Sequence, residues 1–404
     1  MKKVLALLLA LVMVLSLGAC SKEKSNDFKI GVILVGDDNE GYTHAHIEGI
    51  KKAAKANGIK DDQIIWFYTI GEDETCYDKC IDCVEQGCKL VITNSYGHQT
   101  YCERAAKENP DVQFVAMTGD RALKSGLKNF SNAFNKTYES RYVSGIVAGM
   151  KLKELADAGK LTDKNYDANG NVKVGYVGAY PYAEVVSGYT GFYLGIKSVF
   201  PNVVMDVSYT NSWFSIVDEQ NTAEKFIAEG CVIVGQHADS TGAPSACEAA
   251  NKAGTVVYSV GYNVDMLSVA PTAALTSASN DWSVYYTYAI KTALAGEDIA
   301  TDWSEGYETG AVAITKLGDS CAAGTADAVA KAEADIKAGK LHVFDINTFT
   351  VGGAKVESTF CFDSDDDFNY DQVEAIKDGY YHESEYISAP SFALRIDGIT
   401  EQQN

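Results

Sequence analysis

The feature that most constrains this chain is a regular alternation of short apolar runs with longer amphipathic stretches. The short runs have the length and composition of buried strands, and the stretches between them carry apolar residues at helical spacing. Because strands that alternate with helices pair in parallel and pack helices on both faces, the pattern predicts an α/β fold with parallel sheets. The predicted strands span residues 28–35, 63–68, 88–93, 112–117, 172–178, 203–209, 231–235 and 256–260. The predicted helices include 43–57, 74–86, 98–108, 183–199, 215–229 and 241–253.

Two segments of the chain, residues 85–120 and 228–263, resemble each other. Each contains a helix end, Gly-Cys, an apolar strand, a polar loop, a helix with Cys-Glu and a second strand. Two copies of one α/β unit predict two similar lobes that face each other. In such sheets a ligand lies beyond the carboxyl ends of the strands. The loops expected there are 36–43, 94–98, 118–121, 179–184, 210–214, 236–242, 261–266 and 277–283.

The N-terminus predicts export and attachment to a lipid. A basic start at residues 1–3 precedes an apolar run over 4–17, which is too short for a spanning helix, and then small residues and Cys20. A cysteine directly after small residues is typical of a bacterial lipoprotein signal. We therefore expect residues 1–19 to be removed, Cys20 to carry the lipid and residues 20–27 to form a tether. The protein would then lie on the extracytoplasmic face of the cell membrane. An ordinary signal peptide with a chance cysteine is the alternative.

Charge and cysteine content exclude some classes of partner. The formal net charge is −21 over 404 residues, which argues against binding to nucleic acid. Cys76, Cys80 and Cys83 lie at i, i+4 and i+7 of a predicted helix, a spacing typical of a buried apolar face. Their spacing matches no standard zinc or iron–sulfur pattern. We expect no metal ion and no cofactor.

Residues 36–55, "GDDNEGYTHAHIEGIKKAAK", mark the point where the first strand passes into a helix. His44 and His46 are two positions apart, so on a helix they point in nearly opposite directions and do not share one ion. Tyr42 lies where the strand ends, and Gly36 and Gly41 beside it permit close backbone approach. The stretch therefore predicts one wall of a ligand cleft, with His46 in a structural role.

Aromatic residues are concentrated in the predicted cleft loops. Core aromatics would lie inside strands and helices, whereas these follow them. Flat rings on both lobes suit a flat ligand held by stacking, and a sugar could be held in the same way. The eight residues are Tyr42, Tyr96, Tyr180, Tyr182, Trp213, Phe214, Tyr262 and Trp282.

The stretch "GQHADSTG" at residues 235–242 places His237, Asp239 and Ser240 together. A hydroxyl, an imidazole and a carboxylate suggest a hydrolase. However, the sequence contains no G-x-S-x-G, H-E-x-x-H, P-loop or G-x-G-x-x-G motif. A carboxylate that accepts hydrogen bonds from a ligand is the preferred interpretation.

The stretch "DSDDDFNYDQVE" at residues 363–374 has acids at positions 1, 3, 5 and 12 of a calcium-binding loop. Phe368 stands where glycine would make the sharp turn, and no convincing helix precedes the stretch. A solvated acidic loop is the preferred interpretation.

Several collinear segments together resemble the basic membrane lipoprotein family of ABC-importer substrate-binding proteins, which includes purine nucleoside receptors. The segments are "GYTHAH" at 41–46, "MTG" at 117–119, "ESRYVSGIVAGM" at 139–150, "YPYAEVVSGYTGF" at 180–192, "TNSWF" at 210–214, "QHADS" at 236–240, "GYNVDM" at 261–266 and "NDWSVYY" at 280–286. The likeness covers nearly all of residues 28–345. It implies type I periplasmic-binding-protein architecture, in which two Rossmann-like lobes joined by crossovers close on a ligand.

The resemblance also implies lobe boundaries. The N-terminal lobe would comprise residues 28–135 and about 264–300, and the C-terminal lobe 136–263 and about 301–351. Residues 352–404 form an extension beyond the resemblance.

By the same resemblance, Tyr42 and Trp213 would stack on a purine ring and Asp239 would bind its polar edge. Asn263, Asp265 and Trp282 would line the opposite rim. The full set of expected ligand residues is Tyr42, Thr43, Tyr96, Glu184, Trp213, Phe214, Asp239, Asn263, Asp265 and Trp282.

Two departures from the family pattern bear on the ligand. The nucleoside receptors usually carry Asp-x-Ser-Phe-Asn after strand one, where this chain has "NEGYT" at 39–43, and Asn280 stands in place of their lysine. Those residues help to hold ribose in the receptors, so a free purine base is an alternative ligand.

We therefore expect a lipid-anchored receptor that captures a purine nucleoside or nucleobase for the permease and ATPase subunits of an ABC importer. The chain would not be an enzyme. The alternatives are a nucleoside-acting hydrolase, with Asp239 and His237 as acid and base, and a surface sensor or adhesin without a transport role.

Overall fold

The computed structural model describes residues 28–367 and 369–402. The expected signal peptide, Cys20 and the tether at 20–27 lie outside the described residues. Within the described part, no helix combines the length and the apolar character that crossing a membrane requires.

The described chain contains seventeen strands and ten helices. The strands are β1 Lys29–Ile33, β2 Ile64–Phe67, β3 Cys88–Thr93, β4 Gln113–Met117, β5 Phe130–Ala133, β6 Val172–Gly178, β7 Val203–Tyr209, β8 Ile233–Gln236, β9 Tyr258–Tyr262, β10 Ala274–Asn280, β11 Asp302–Trp303, β12 Val312–Ile314, β13 Phe360–Phe362, β14 Gln372–Glu374, β15 Ile376–Lys377, β16 Tyr380–Tyr381 and β17 Ile399–Glu401. The helices are α1 Gly41–Ala56, α2 Glu74–Glu85, α3 Gln99–Glu108, α4 Ala122–Ser125, α5 Thr137–Asp157, α6 Ala183–Val199, α7 Ile216–Glu229, α8 Gly242–Lys252, α9 Ser283–Ala295 and α10 Thr325–Lys337.

The strands form two large sheets, and each sheet is the centre of one lobe. The first sheet has six strands in the order β11-β5-β4-β3-β1-β2, all parallel. The second has seven in the order β12-β10-β9-β8-β6-β7-β17, parallel except for β12. The α/β fold class expected from the alternating pattern is confirmed. We call the two units the first lobe and the second lobe.

Three crossovers join the lobes, at residues 134–136, 281–282 and 304–311. The sequence analysis placed the second crossover near residue 264, and the structure corrects this. β10 pairs with β9 in the second sheet, and the chain returns to the first lobe only at α9. The third crossover follows β11, which pairs with β5 in the first sheet. These strands were missed because β10 is rich in small polar residues and β11 has only two residues.

The side chains of Asn135 and Asn280 connect the crossovers. Asn280 Oδ1 accepts hydrogen bonds from Asn135 Nδ2 at 3.2 Å and from Thr137 Oγ1 at 2.9 Å. Asn135 Nδ2 also donates to the Ala311 carbonyl oxygen at 3.0 Å. The buried Asn135 amide thus links the first crossover to the start of the second and to the end of the third.

Small residues allow α5 and α6 to pack closely on the second sheet. A methyl group at Gly195 would lie 2.0 Å from the Tyr142 carbonyl oxygen, and one at Gly145 would lie 2.1 Å from the Phe192 carbonyl oxygen. The two helix backbones therefore touch, and the second core packs around them. In the first lobe, Cys76, Cys80 and Cys83 are buried on one face of α2, as the spacing predicted.

The chain after the third crossover ends on the second lobe. α10 packs on α5, two short hairpins follow, and β17 joins the edge of the second sheet beside β7. The stretch predicted to be a solvated acidic loop begins directly after β13 and ends in β14, so a strand and not a helix precedes it. Carboxylate oxygens of Asp363, Asp365 and Asp367 lie within 4.8 Å of one another, and the last two side chains are exposed.

Candidate functional site

A cavity of about 440 Å³ lies between the lobes, at the carboxyl ends of the parallel strands. Each of β1 to β4 and β6 to β9 contributes at least one lining residue from its end, from the loop that follows it or, after β6, from the first turn of the next helix. The lining residues are Val35, Gly36, Asp37, Asn39, Glu40, Tyr42, Thr69, Ser95, Tyr96, Thr118, Glu184, Trp213, Phe214, His237, Asp239 and Tyr262. This is the position at which a ligand binds in open α/β sheets.

Six of the ten expected ligand residues line this cavity. They come from both lobes: Tyr42 and Tyr96 from the first, and Glu184, Trp213, Phe214 and Asp239 from the second. The lobes also touch each other directly. The rings of Tyr96 and Tyr182 have centroids 6.0 Å apart, and a methyl group at Gly41 would lie 3.3 Å from Val264 Cγ2.

Tyr42 is held in place by buried groups behind it. Its hydroxyl donates to the Asn94 carbonyl oxygen, and its ring meets that of His46 edge-on at 4.4 Å. His46 stacks on Trp282 at 4.5 Å, and its Nδ1 lies 2.5 Å from the Tyr286 hydroxyl. Burial lowers the pKa of His46 to about 3, so this imidazole is neutral.

The second lobe supplies a cluster of aromatic rings opposite Tyr42. Trp213 contacts Tyr180 at 5.2 Å and Tyr182 at 6.2 Å, and the two tyrosines stack on each other at 5.1 Å. Trp213 is half-buried and Phe214 is exposed. These rings can receive the face of a flat ligand while their edges stay accessible.

Two buried carboxyl groups, those of Asp239 and Glu40, and the half-buried Glu184 form the polar part of the cavity. Asp239 Oδ1 accepts a hydrogen bond from Asn263 Nδ2 at 2.5 Å. Glu40 is the N-cap residue before α1, and its Oε2 accepts from the Thr43 amide at 3.3 Å. Glu184 Oε1 lies 3.3 Å from His237 Nε2.

Burial shifts the pKa values of these groups in the direction that favours their neutral forms. Burial, and then the nearby Glu40 carboxylate, raises the pKa of Asp239 well above its usual range. Burial raises the pKa of Glu40 and brings that of Glu184 to about 7. Burial also lowers the pKa of His237 well below its usual value. The cavity therefore contains several oxygen acceptors and no positively charged lining residue.

Four of the expected ligand residues do not line the cavity. Trp282 is only 1% exposed and lies in the first core, where it supports His46. Thr43 is buried in the first turn of α1, and Asn263 lies behind Asp239. Asp265 is exposed, and its carboxylate accepts from the Leu267 amide at 2.7 Å. The structure thus places Trp282 and Asp265 away from the rim that the resemblance suggested.

Other lining residues were not among the expected ligand residues. Thr69 follows β2, a strand end that the sequence analysis left out of the cleft loops. The carboxyl ends of all strands in a parallel sheet lie at the same edge, so this loop could have been included. Glu40 was noted only as a departure from the family pattern, although a carboxylate beside a helix N-terminus is stabilised by the helix dipole.

Comparison with known proteins identifies the family to which this chain belongs. A family model described as "ABC transporter substrate-binding protein PnrA-like" (Bmp) matches residues 28–347. The chain belongs to the Bmp family. It is therefore a substrate-binding protein of an ABC transporter, not an enzyme, and belongs to a class of receptor that works outside the cytoplasm with transporter components.

Relatives and a solved structure agree with this assignment. A purine-binding protein of Brucella abortus (strain 2308) is 30% identical over 282 residues, which are 69% of this chain and 72% of the relative. A protein of Haloferax volcanii with the provisional name "ABC transporter glucose-binding protein TsgA13" is 28% identical over 313 residues, or 76% of this chain and 72% of that protein. An ABC transporter solute-binding protein from Aeropyrum pernix K1 superposes with a TM-score of 0.63 at 15% identity, covering 78% of this chain and 93% of that one. The last likeness concerns the fold alone.

Proposed function

We propose that this Bmp-family protein captures a purine nucleoside or nucleobase and delivers it to the permease and ATPase subunits of an ABC importer. The observation that carries the proposal is the cavity itself, in which Tyr42 of one lobe and Trp213 of the other line the same space. Aromatic faces bind flat heterocycles by stacking, and a few polar groups then set orientation. The purine-binding relative from Brucella abortus supports this choice of ligand.

The charge of the lining favours an uncharged ligand that donates hydrogen bonds. Asp37, Glu40, Glu184 and Asp239 line the cavity, and no lysine or arginine is among the lining residues. Carboxyl oxygens accept hydrogen bonds from ring N–H, amino or hydroxyl groups. Among the lining residues a phosphate group would meet several carboxyl groups and no cation, so we expect nucleotides to bind more weakly than nucleosides.

The position of Asn280 bears on whether the ligand is a purine base or its nucleoside. In the nucleoside receptors a lysine at the position of Asn280 helps to hold ribose, and a hydrogen bond to a charged group contributes about 1.5–3 kcal/mol. Here Asn280 is directed to the crossovers rather than the cavity. We therefore expect adenine or hypoxanthine to bind at least as tightly as adenosine or inosine.

Titration calorimetry on the purified protein tests the ligand class. We expect binding of one or more of adenine, adenosine, hypoxanthine and inosine, with AMP weaker than adenosine by at least tenfold. Glucose is included because one relative carries that name. Tyr42→Ala should abolish or weaken purine binding. Tyr68→Ala is the control because Tyr68 is an exposed tyrosine of the same lobe outside the cavity lining. Binding of glucose without binding of any purine would overturn the purine assignment.

We also propose that Cys20 carries a lipid that anchors the receptor to the cell membrane. The support comes from the residues before it, a basic start and a short apolar run that ends in small residues. Cys20→Ser should release the protein from the membrane fraction while its melting temperature stays unchanged. Membrane attachment of the Cys20→Ser protein would contradict the anchor.

A further inference from the structure

The C-terminal segment, residues 352–402, lies beyond the family match, which ends at residue 347. It is anchored firmly on the second lobe. β17 pairs with β7 in parallel, and its Glu401 carboxylate accepts from the Tyr189 and Tyr209 hydroxyls at 2.8 and 2.6 Å. Glu383, which is 2% exposed, accepts a hydrogen bond from Ser187 Oγ of α6 at 2.5 Å.

The same segment reaches across to the first lobe at two places. The Asp366 carboxylate accepts from Arg121 Nη1 and from Lys124 Nζ, both at α4. Arg121 is fixed in that position by Glu103 of its own lobe, at 2.6 Å. Asp302 of β11 accepts from the Ser388 amide at 2.5 Å and from Ser388 Oγ at 2.6 Å.

Between its two attachments, the segment forms a wall beside the ligand cavity. A second, much smaller cavity lies there, lined by Cys361, Tyr370 and Ile387 of the C-terminal segment. Its other walls include Tyr96, Thr118 and Glu184, which also line the ligand cavity. A movement of one lobe relative to the other would therefore change the shape of this smaller cavity as well as that of the ligand cavity.

We propose that the C-terminal segment is a clasp that holds the two lobes together and limits how far and how often the cleft opens. The two attachments differ in strength. On the second lobe they comprise a strand pairing and a buried carboxyl with several hydrogen bonds, whereas on the first lobe they include ion pairs to Asp366, whose side chain is exposed. Ion pairs with a solvent-exposed partner are weak and become weaker as salt is added. When the lobes separate, the clasp stays on the second lobe and its contacts with the first lobe break.

Solution scattering of the ligand-free protein tests this inference without any assumption about the ligand. We expect Asp366→Asn, and independently Ser388→Ala, to enlarge the radius of gyration relative to the wild type at low salt. Raising the salt concentration should enlarge the wild type toward the value of Asp366→Asn and change that variant less. Glu74→Gln is the matched control, because Glu74 forms an exposed pair with Arg104 inside the first lobe.

Acrylamide quenching of Trp213 fluorescence gives a second readout, since this ring lines the cleft. The Trp213→Phe protein provides the background to subtract. Weakening the clasp by one ion pair should raise the quenching constant toward that of the open form, with up to about a fivefold increase in the open population. Unchanged radius and unchanged quenching in both Asp366→Asn and Ser388→Ala would overturn the clasp. Equal changes in Glu74→Gln would also overturn it, because the effect would then be one of general charge.

Discussion

Replacing Trp213 with alanine should weaken purine binding in a protein that still folds. The ring lines the ligand cavity, and stacking of a base on an aromatic side chain contributes about 1–3 kcal/mol. The dissociation constant should therefore rise about 5- to 150-fold. The backbone of this residue has a separate role, because the Trp213 carbonyl oxygen accepts from the Asp239 amide at 2.8 Å. Alanine retains that hydrogen bond, so the Asp239 carboxylate should stay in place.

The cost to stability follows from the neighbours of the ring. Trp213 is half-buried and contacts two tyrosines, and an aromatic pair contributes about 0.5–1.5 kcal/mol. The loss of folding free energy should thus be about 1–3 kcal/mol. Trp282 should affect stability rather than binding, because it is 1% exposed in the first core and does not line the cavity. Trp282→Ala should cost about 3–5 kcal/mol, in line with other large core truncations.

Titration calorimetry and thermal unfolding of the two variants separate these roles. Trp66→Ala is the control for loss of a tryptophan, since Trp66 is half-buried in β2 and outside the cavity lining. The reasoning would be refuted if Trp213→Ala bound purine as well as the wild type but melted at a much lower temperature. It would also be refuted if Trp282→Ala lost affinity while its melting temperature was unchanged.

Three further predictions concern pH and close packing. Burial raises the pKa of Glu184 and Glu383 to about 7, above their value of about 4.3 in the unfolded chain. The stability that these groups contribute is therefore present below about pH 4 and is lost as the pH rises through 7. The melting temperature should fall between pH 5 and pH 8, and it should fall less in Glu383→Gln. Gly41→Val places a side chain within 3.4 Å of the Asp239 carbonyl oxygen on the other lobe, so affinity should fall by about fivefold or more while the ligand-free melting temperature is unchanged. Gly195→Ala forces α5 and α6 apart and should cost at least about 1–3 kcal/mol in denaturant unfolding.

The parts of the fold that could be predicted are those with a strong local pattern. The eight predicted strands correspond to β1 to β4 and β6 to β9, because buried parallel strands read as continuous apolar runs. β10 lacks such a run, since its sequence "ALTSASN" is mostly small and polar. Its place in the second sheet depends on pairing with β9, which is a tertiary contact. The lobe boundary near residue 264 was misplaced for this reason.

In the candidate site, too, some features could be predicted from the sequence and others depend on tertiary contacts. Asp239 and Trp213 were identified because residues after parallel strands converge on one edge of a sheet. Position after a strand does not fix the direction of a side chain, however, and Trp282 turns into the first core instead. The C-terminal segment has no regular hydrophobic periodicity and lies beyond the family match. Its contacts with both lobes could therefore be seen only in three dimensions.

The most direct test of the central claim is the identity of the molecule that the protein retains. Protein purified without denaturation from a culture that contains purines is denatured, and the released small molecules are identified by mass spectrometry. We expect a purine base or nucleoside at close to one molecule per protein, and much less from Trp213→Ala prepared in the same way. A sugar at the same ratio, or a purine that Trp213→Ala retains equally well, would contradict the account.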